Sequence, residues 1–171
     1  DRELVEYREK RFKAMDRSNW QAYCESRDVQ AEASAINKLI SISERTNCRI
    51  HIVHLSSELG LKSIVDAQKK GIPITAETCP HYLHFTQKDF ENQIIRKLLK
   101  TAPPVKFEVD RKALWKGLNE GSILFVTSDH AGCDPEKEKS SNNFWKLYGG
   151  IPGVEHRIPF LFSEGFLKGR L

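Results

Sequence analysis

An α/β fold with a parallel sheet is predicted by three observations. Between residues 50 and 128, apolar strands alternate with amphipathic helices in the order strand, helix, strand, helix, strand, the pattern of right-handed βαβ units. The strands are nearly continuous in apolar residues, as parallel strands covered on both faces are. Two of them run out into polar, chemistry-bearing residues, His54-Leu55-Ser56-Ser57 and Ser128-Asp129-His130. Strand ends of that kind are where parallel barrels keep their chemistry.

Residues 1–16 carry dense charge and sparse apolar residues (Leu4, Val5, Phe12, Met15), which predicts an exposed helix, and residues 18–29 read as a connection. From Gln30 to Thr46 the residues Ala31, Ala35, Ile36, Leu39, Ile40 and Ser43 recur at helical spacing and give one apolar face. A strand over 50–55 follows. Ser57 is placed to cap a helix over 58–70, in which Leu61, Ile64, Val65 and Gln68 share a face and Gly71 supplies the stop. The next strand covers 72–78. An insertion over 80–109 holds a short helix around 89–99 and the Pro103-Pro104 pair. Asp110 is read as the cap of a helix carrying Ala113, Leu114 and Leu118, closed by Gly121, before the strand 123–128. The stretch 131–152 is polar and longer than most structureless loops, a length that is commonly functional. A closed eight-stranded barrel takes about 250 residues. Three strands therefore make either a small open α/β domain or a piece of a barrel.

At 171 residues the chain is sized for one core, so residues 1–171 read as a single domain. Its 39% apolar and 29% charged residues are those of a globular protein. No apolar stretch approaches the roughly 20 residues needed to span a bilayer, and the start, Asp-Arg-Glu-Leu-Val-Glu, lacks the apolar segment of a signal peptide. The cytoplasm is the expected location, with no membrane partner. The net charge of +4 is spread through mixed-sign segments such as Glu136-Lys137-Glu138-Lys139, without a basic stripe carrying aromatics, so no nucleic-acid partner is expected. Cys24, Cys48, Cys79 and Cys133 form no CxxC pair and read as reduced, mostly buried thiols rather than disulfides or metal ligands.

Strand side chains alternate faces, so His51 and His54 point to opposite sides and only one of them serves a given ion. His54 stands at the strand end; His51 is deeper and expected to face a helix. Alone, His54 reads as a hydrogen-bonded strand-end histidine. Asp129 at the equivalent place on another strand turns the reading toward a metal site. A carboxylate after a strand often caps a turn, but Asp129 shares parity with Ile123, Phe125 and Thr127 and so continues a face expected to be buried. There it needs a cation or strong donors. Imidazole nitrogen with carboxylate oxygen suits zinc and similar divalent ions. A third cluster is Glu77-Thr78-Cys79-Pro80-His81-Tyr82-Leu83. His81 is open to three readings: a ligand, a donor supporting a ligand, or a packed histidine. Glu77 is placed to orient a ligand histidine. Tyr82, Phe85 and Phe90 read as core.

Six motifs occur in one order: His-Leu-Ser-Ser at 54–57, Glu-Thr-Cys-Pro-His-Tyr-Leu at 77–83, Ala-Pro-Pro-Val-Lys at 102–106, Leu-Trp-Lys-Gly-Leu at 114–118, Thr-Ser-Asp-His at 127–130 and Gly-Gly-Ile-Pro-Gly-Val-Glu at 149–155. That set resembles the cyclic amidohydrolases: hydantoinase, dihydropyrimidinase, allantoinase and dihydroorotase. The resemblance implies a partial TIM-like (β/α)8 barrel, about strands six to eight, of the metal-dependent hydrolase type, whose complete form opens a cyclic amide or ureide with water at a binuclear Zn2+ centre. It implies that His54 binds metal at the end of the sixth strand, and that Asp129, ending the eighth, binds metal and serves as general base. Ala102, Gly149 and Gly150 fall in segments that line the substrate pocket through backbone groups, and Glu77, His81 and His130 stand as candidates to support the ligands. Ala102 replaces a common serine, Lys106 a common arginine, and Gly149 the asparagine usual in hydantoinases. Pro80-His81-Tyr82 is more similar to allantoinase, whereas 151–155 and 162–165 are more similar to dihydropyrimidinase and hydantoinase.

The family's first-strand His-x-His pair, carboxylated lysine and fifth-strand histidine have no counterpart here. The chain therefore reads as the C-terminal part of a barrel within a longer enzyme, a homo-oligomer when complete. Two further readings compete. One is a non-catalytic dihydropyrimidinase-like scaffold, disfavoured because a scaffold has no reason to keep His54 and Asp129, and the other is a small α/β binding domain, disfavoured by the strand edges it would expose. Within the enzyme reading, a dihydroorotase of pyrimidine synthesis is the alternative to a hydantoin, dihydropyrimidine or allantoin hydrolase.

Overall fold

The computed structural model describes residues 1–171 and contains a three-stranded parallel sheet, ordered β1 (Ile50–Ile52), β2 (Ile74–Thr78), β3 (Phe125–Val126). In β2 the burial alternates, with Ile74, Ala76 and Thr78 turned into the helix layer and Thr75 and Glu77 on the other face. The register pairs Ile50 with Ile74, His51 with Thr75, Ile52 with Ala76, Glu77 with Phe125 and Thr78 with Val126. Hydrogen bonds extend the pairing past the formal strand ends, Leu55 N–H to the Glu77 carbonyl at 2.9 Å and Thr127 N–H to the Thr78 carbonyl at 2.9 Å. The residues that follow β1 and β3 are thereby fixed relative to β2.

Helix α1 (Arg2–Ala14) buries no residue, as its composition predicts. The stretch read as a connection instead holds α2 (Trp20–Ser26), started by the Asn19 carboxamide accepting from Ala22 N–H at 3.0 Å. Seven residues are too few to show a periodicity, yet Ala22, Tyr23, Cys24 and Ser26 are all buried. Helix α3 (Val29–Thr46) turns Ala31, Ile36 and Ser43 inward. Leu39, placed on that face by its spacing, stays 41% exposed beside β1. Helix α4 (Glu58–Lys69) starts at Ser57, whose hydroxyl accepts from Gly60 N–H at 3.0 Å. It and α6 (Glu108–Asn119) are each followed by a glycine with φ near +77°, Gly71 and Gly121, a conformation that a side chain would strain.

Asp110 lies inside α6, not before it. Its carboxylate reaches back to Phe107 N–H at 3.0 Å and across to Glu58 N–H at 2.8 Å, so one buried acid serves the N-termini of both α6 and α4. The short helix read around 89–99 is absent. After α5 (Pro80–His84), residues Gln87–Glu91 form a 3-10 turn that drives Phe90 fully into the core, stacked on Trp20 at 5.1 Å.

The core between sheet and helices is built from Ile36, Ile52, Leu55, Ile64, Ile74, Ala76, Leu114 and Ile123, and continues into an aromatic cluster of Tyr23, Phe90 and Phe144. The 131–152 stretch contains α7 (Pro135–Glu138) and a 3-10 turn, and is pinned by the buried ammonium of Lys139, which donates to the carbonyls of Leu98 (2.6 Å), Lys100 (3.2 Å) and Gly150 (2.6 Å). The chain ends in α8 (Arg157–Phe160) and a π-helical turn over Leu161–Phe166. No helix is long and apolar enough to cross a membrane.

Candidate metal and catalytic site

The second face of the sheet is uncovered, and its polar residues form one chain of contacts. His51 is there, stacked on Phe125 at 5.5 Å, with Nδ1 2.8 Å from the Thr75 hydroxyl and Nε2 3.3 Å from the Glu77 carboxylate. It does not face a helix: its register partner Thr75 lies on the face opposite Ile74 and Ala76. Glu77 therefore orients His51, and it accepts from the Thr127 hydroxyl at 2.8 Å. Having given its proton to Glu77, Thr127 Oγ1 is an acceptor for the Cys79 thiol at 3.7 Å. The parity expected to bury Asp129 fails, because Ile123 lies before β3 against Gly117 of α6, while Phe125 is 43% exposed on the open face.

Both strand ends turn through the same backbone conformation. His54, after β1, has φ of +43°, and Asp129, after β3, has φ of +45°. Non-glycine residues rarely adopt this region, and it concentrates at functional sites. The loop behind His54 is gripped from α3: the Glu32 carboxylate accepts from Ser56 N–H (3.0 Å), from the Ser56 hydroxyl (2.7 Å) and from the Ser57 hydroxyl. The contact spans 24 residues and leaves no signal in the sequence.

His81 completes the cluster. Pro80 starts α5 directly after β2, which turns His81 back over the strand end, where it is 5% exposed with Nε2 4.0 Å from Asp129 Oδ2. That Nε2 is a buried side-chain atom with no hydrogen-bond partner. Burial, with the nearby His54 adding to it, pushes the His81 imidazole down to about 4, so it is neutral at ordinary pH. Burial raises the Asp129 carboxyl above its usual range; the His54 charge opposes this and the Glu77 charge adds to it. His54 therefore lies near enough for its charge to act on both His81 and Asp129. Ligand atoms of Cys79, His81 and Asp129 all lie within 4.8 Å of each other. The Cys-Pro-His spacing was the sequence signal for bringing Cys79 into this group.

His130 does not reach the cluster. It is exposed, and its Nδ1 accepts from the N–H groups of Gly153 (3.2 Å) and Val154 (3.3 Å) while its backbone bridges to Ile151. Gly150 is buried, its N–H given to the Lys100 carbonyl at 3.0 Å and its own carbonyl held by Lys139, and a Cβ there would stand 2.6 Å from that of Ala131. Gly149 is exposed. Ala102 is exposed as well, in a cleft of about 370 Å³ that it shares with His54, Val53 and Ile36.

Fold and site define an α/β protein with a titratable cluster at the carboxyl ends of parallel strands. No family model matches the chain. It is 40% identical over 147 residues to an allantoinase of Bacillus licheniformis, covering 86% of this chain and 32% of that protein, and 34% identical over 166 residues to an allantoinase of Rubrobacter xylanophilus, covering 97% and 36%. Among solved structures, dihydropyrimidinase from Brevibacillus agri superposes with a TM-score of 0.94 at 27% identity over 99% of this chain and 37% of that one. L-hydantoinase from Arthrobacter aurescens superposes at 0.91 with 32% identity over 98% and 37%. The chain belongs to the cyclic amidohydrolases, and it spans about a third of the length of the curated relatives it matches.

Proposed function

We propose that residues 1–171 form the sixth-to-eighth-strand part of the (β/α)8 barrel of a longer, metal-dependent cyclic amidohydrolase, and that the complete homo-oligomeric enzyme opens a five-membered cyclic ureide of the allantoin type. The observation that carries the chemistry is the convergence of Asp129 and His81, 4.0 Å apart, beside His54 at the strand ends. The ring type is supported by the allantoinases at 34–40% identity and by His81 in the Cys-Pro-His turn.

The donor set fits a divalent cation. The Asp129 carboxylate pairs with no charged side chain and faces the neutral His81 across 4.0 Å, and that buried Nε2 is itself unsatisfied. His54 and Asp129 would hold the cation in this part of the site, with imidazole and carboxylate donors suited to zinc. When bound, it polarises the ring carbonyl and makes water a stronger acid. Asp129 takes the proton from the attacking water and hands it to the leaving ring nitrogen, a task helped by the upward push that burial gives its carboxyl. Ala102 and Gly149, both exposed, offer backbone groups to the ring, and Gly150 ties their two loops together through its N–H on the Lys100 carbonyl.

The test is made in the full-length protein. Asp129→Asn should keep the fold by circular dichroism and lower allantoin turnover by about 100-fold to 10,000-fold, the range of general-base catalysis. His54→Ala should first reduce metal content. Near-parent turnover in the Asn variant with metal bound would remove Asp129 as base, and metal-loaded parent that hydrolyses none of allantoin, hydantoin, dihydrouracil or dihydroorotate would remove the function.

A further inference from the structure

We infer that Cys79, His81 and Asp129 form a second, thiolate-containing cation site, one that takes a thiophilic divalent ion of the zinc class and withdraws Asp129 from the hydrolytic site when filled. The Cys79 sulfur, a His81 ring nitrogen and an Asp129 oxygen already lie within 4.8 Å of one another. Nitrogen, oxygen and sulfur ligands at zinc bond lengths of about 2.0–2.3 Å sit somewhat closer together than that, so the set draws in slightly on binding, and the Asp129 side chain, 37% exposed on a loop, has room to swing inward. Cys79 and His81 flank Pro80 at the start of α5 and are both buried.

Two features aim this trio at a ligand. The Nε2 of His81 is buried, points toward Asp129 and has no partner, which a buried polar atom does not ordinarily tolerate. The Cys79 thiol has one weak contact, at 3.7 Å, with a Thr127 oxygen whose own proton is committed to Glu77, leaving the sulfur lone pairs free. On binding, the S–H bond breaks, the proton leaves to solvent and the sulfur–metal bond forms. One thiolate and one carboxylate then balance the two charges of the ion, with neutral His81 as third ligand, so little net charge is buried.

The site shares Asp129 and His81 with the proposed hydrolytic centre, on which it rests, but adds Cys79 and leaves out His54, so those two residues separate the test from that reading. The full-length protein, with Cys48→Ser and Cys133→Ser removing the accessible thiols of this segment, is titrated with Co2+. Expected is a near-ultraviolet thiolate-to-cobalt charge-transfer band, with one proton released per ion bound. Cys79→Ser and Cys79→Ala should abolish the band, His81→Gln should weaken binding about tenfold or more, and His54→Ala should leave it in place. Cobalt bound without a thiolate band, a band that survives loss of Cys79, or a band that needs His54 and ignores His81→Gln would overturn the inference. The first of those outcomes, with binding lost in His54→Ala, leaves the hydrolytic reading standing.

Discussion

Cys24 sits inside the core, where burial pushes its thiol up to about 12 from a normal value of 9.0. The folded chain therefore keeps a proton that the unfolded chain releases, and the stabilisation is complete below pH 9 and is lost as pH rises toward 12. At about 1.4 kcal/mol per unit, full titration is worth on the order of 4 kcal/mol. Urea unfolding at pH 8 and pH 11 should show a steeper alkaline loss in the parent than in Cys24→Ala; equal slopes would mean that the thiol ionises freely in the fold. Among single residues, His54 and Asp129 were legible as strand-end groups because an apolar run stopping on a titratable side chain is visible in one dimension. His51 was not, since the alternation rule says only that it opposes His54, and which of the two faces the helices cover depends on chain that packs elsewhere. His130 looked like part of the site by adjacency to Asp129, yet the left-handed turn at Asp129 sends it into the next loop.

One carboxylate joins two helices. Asp110 accepts from Phe107 N–H and Glu58 N–H while 3% exposed, so its removal leaves two part-buried donors without their partner at helix N-termini. Asp110→Ala should cost about 3 kcal/mol, since a buried hydrogen bond to a charged group contributes about 1.5–3 kcal/mol, and Asp110→Asn should recover part of it. Chemical denaturation checks this, and a loss below about 1 kcal/mol would show that water replaces the carboxylate. The long helices α3, α4 and α6 were readable because three or more turns print a period, with Ser57 capping α4 and glycine stops following α4 and α6. Helix α2 and the 3-10 turn carrying Phe90 were not, being set by tertiary burial of aromatic residues rather than by any local period.

The molecule leaves a sheet face bare. Its accessible surface of 9769 Å² exceeds the roughly 8,600 Å² expected of a compact chain of 19.6 kDa, and Val53 and Phe125 are each more than 40% exposed along the strands. Both outer strands also present unpaired edges. The isolated chain should therefore self-associate in sedimentation runs at micromolar concentration, bind apolar dyes, and hydrolyse none of the four cyclic amides even with zinc added. A monodisperse monomer with zinc-dependent turnover abolished by Asp129→Asn would overturn this reading. The parallel α/β class was legible from element order alone. Whether the outer two strands take further neighbours was not, because nothing within three strands specifies them.

The matched left-handed turns at His54 and Asp129 set a trade between endurance and chemistry. Such a conformation costs a side-chain-bearing residue of order 1 kcal/mol, and asparagine tolerates it better than histidine does. The double substitution His54→Asn and Asp129→Asn should then melt no lower than the parent in metal-free buffer, although it deletes both groups assigned to the proposed hydrolytic centre and most paired substitutions lower the melting temperature. A fall of several degrees would show that these backbones are at ease. Otherwise, selection for thermal robustness alone would erode the two positions, and their persistence in a lineage would itself mark continued use of the site.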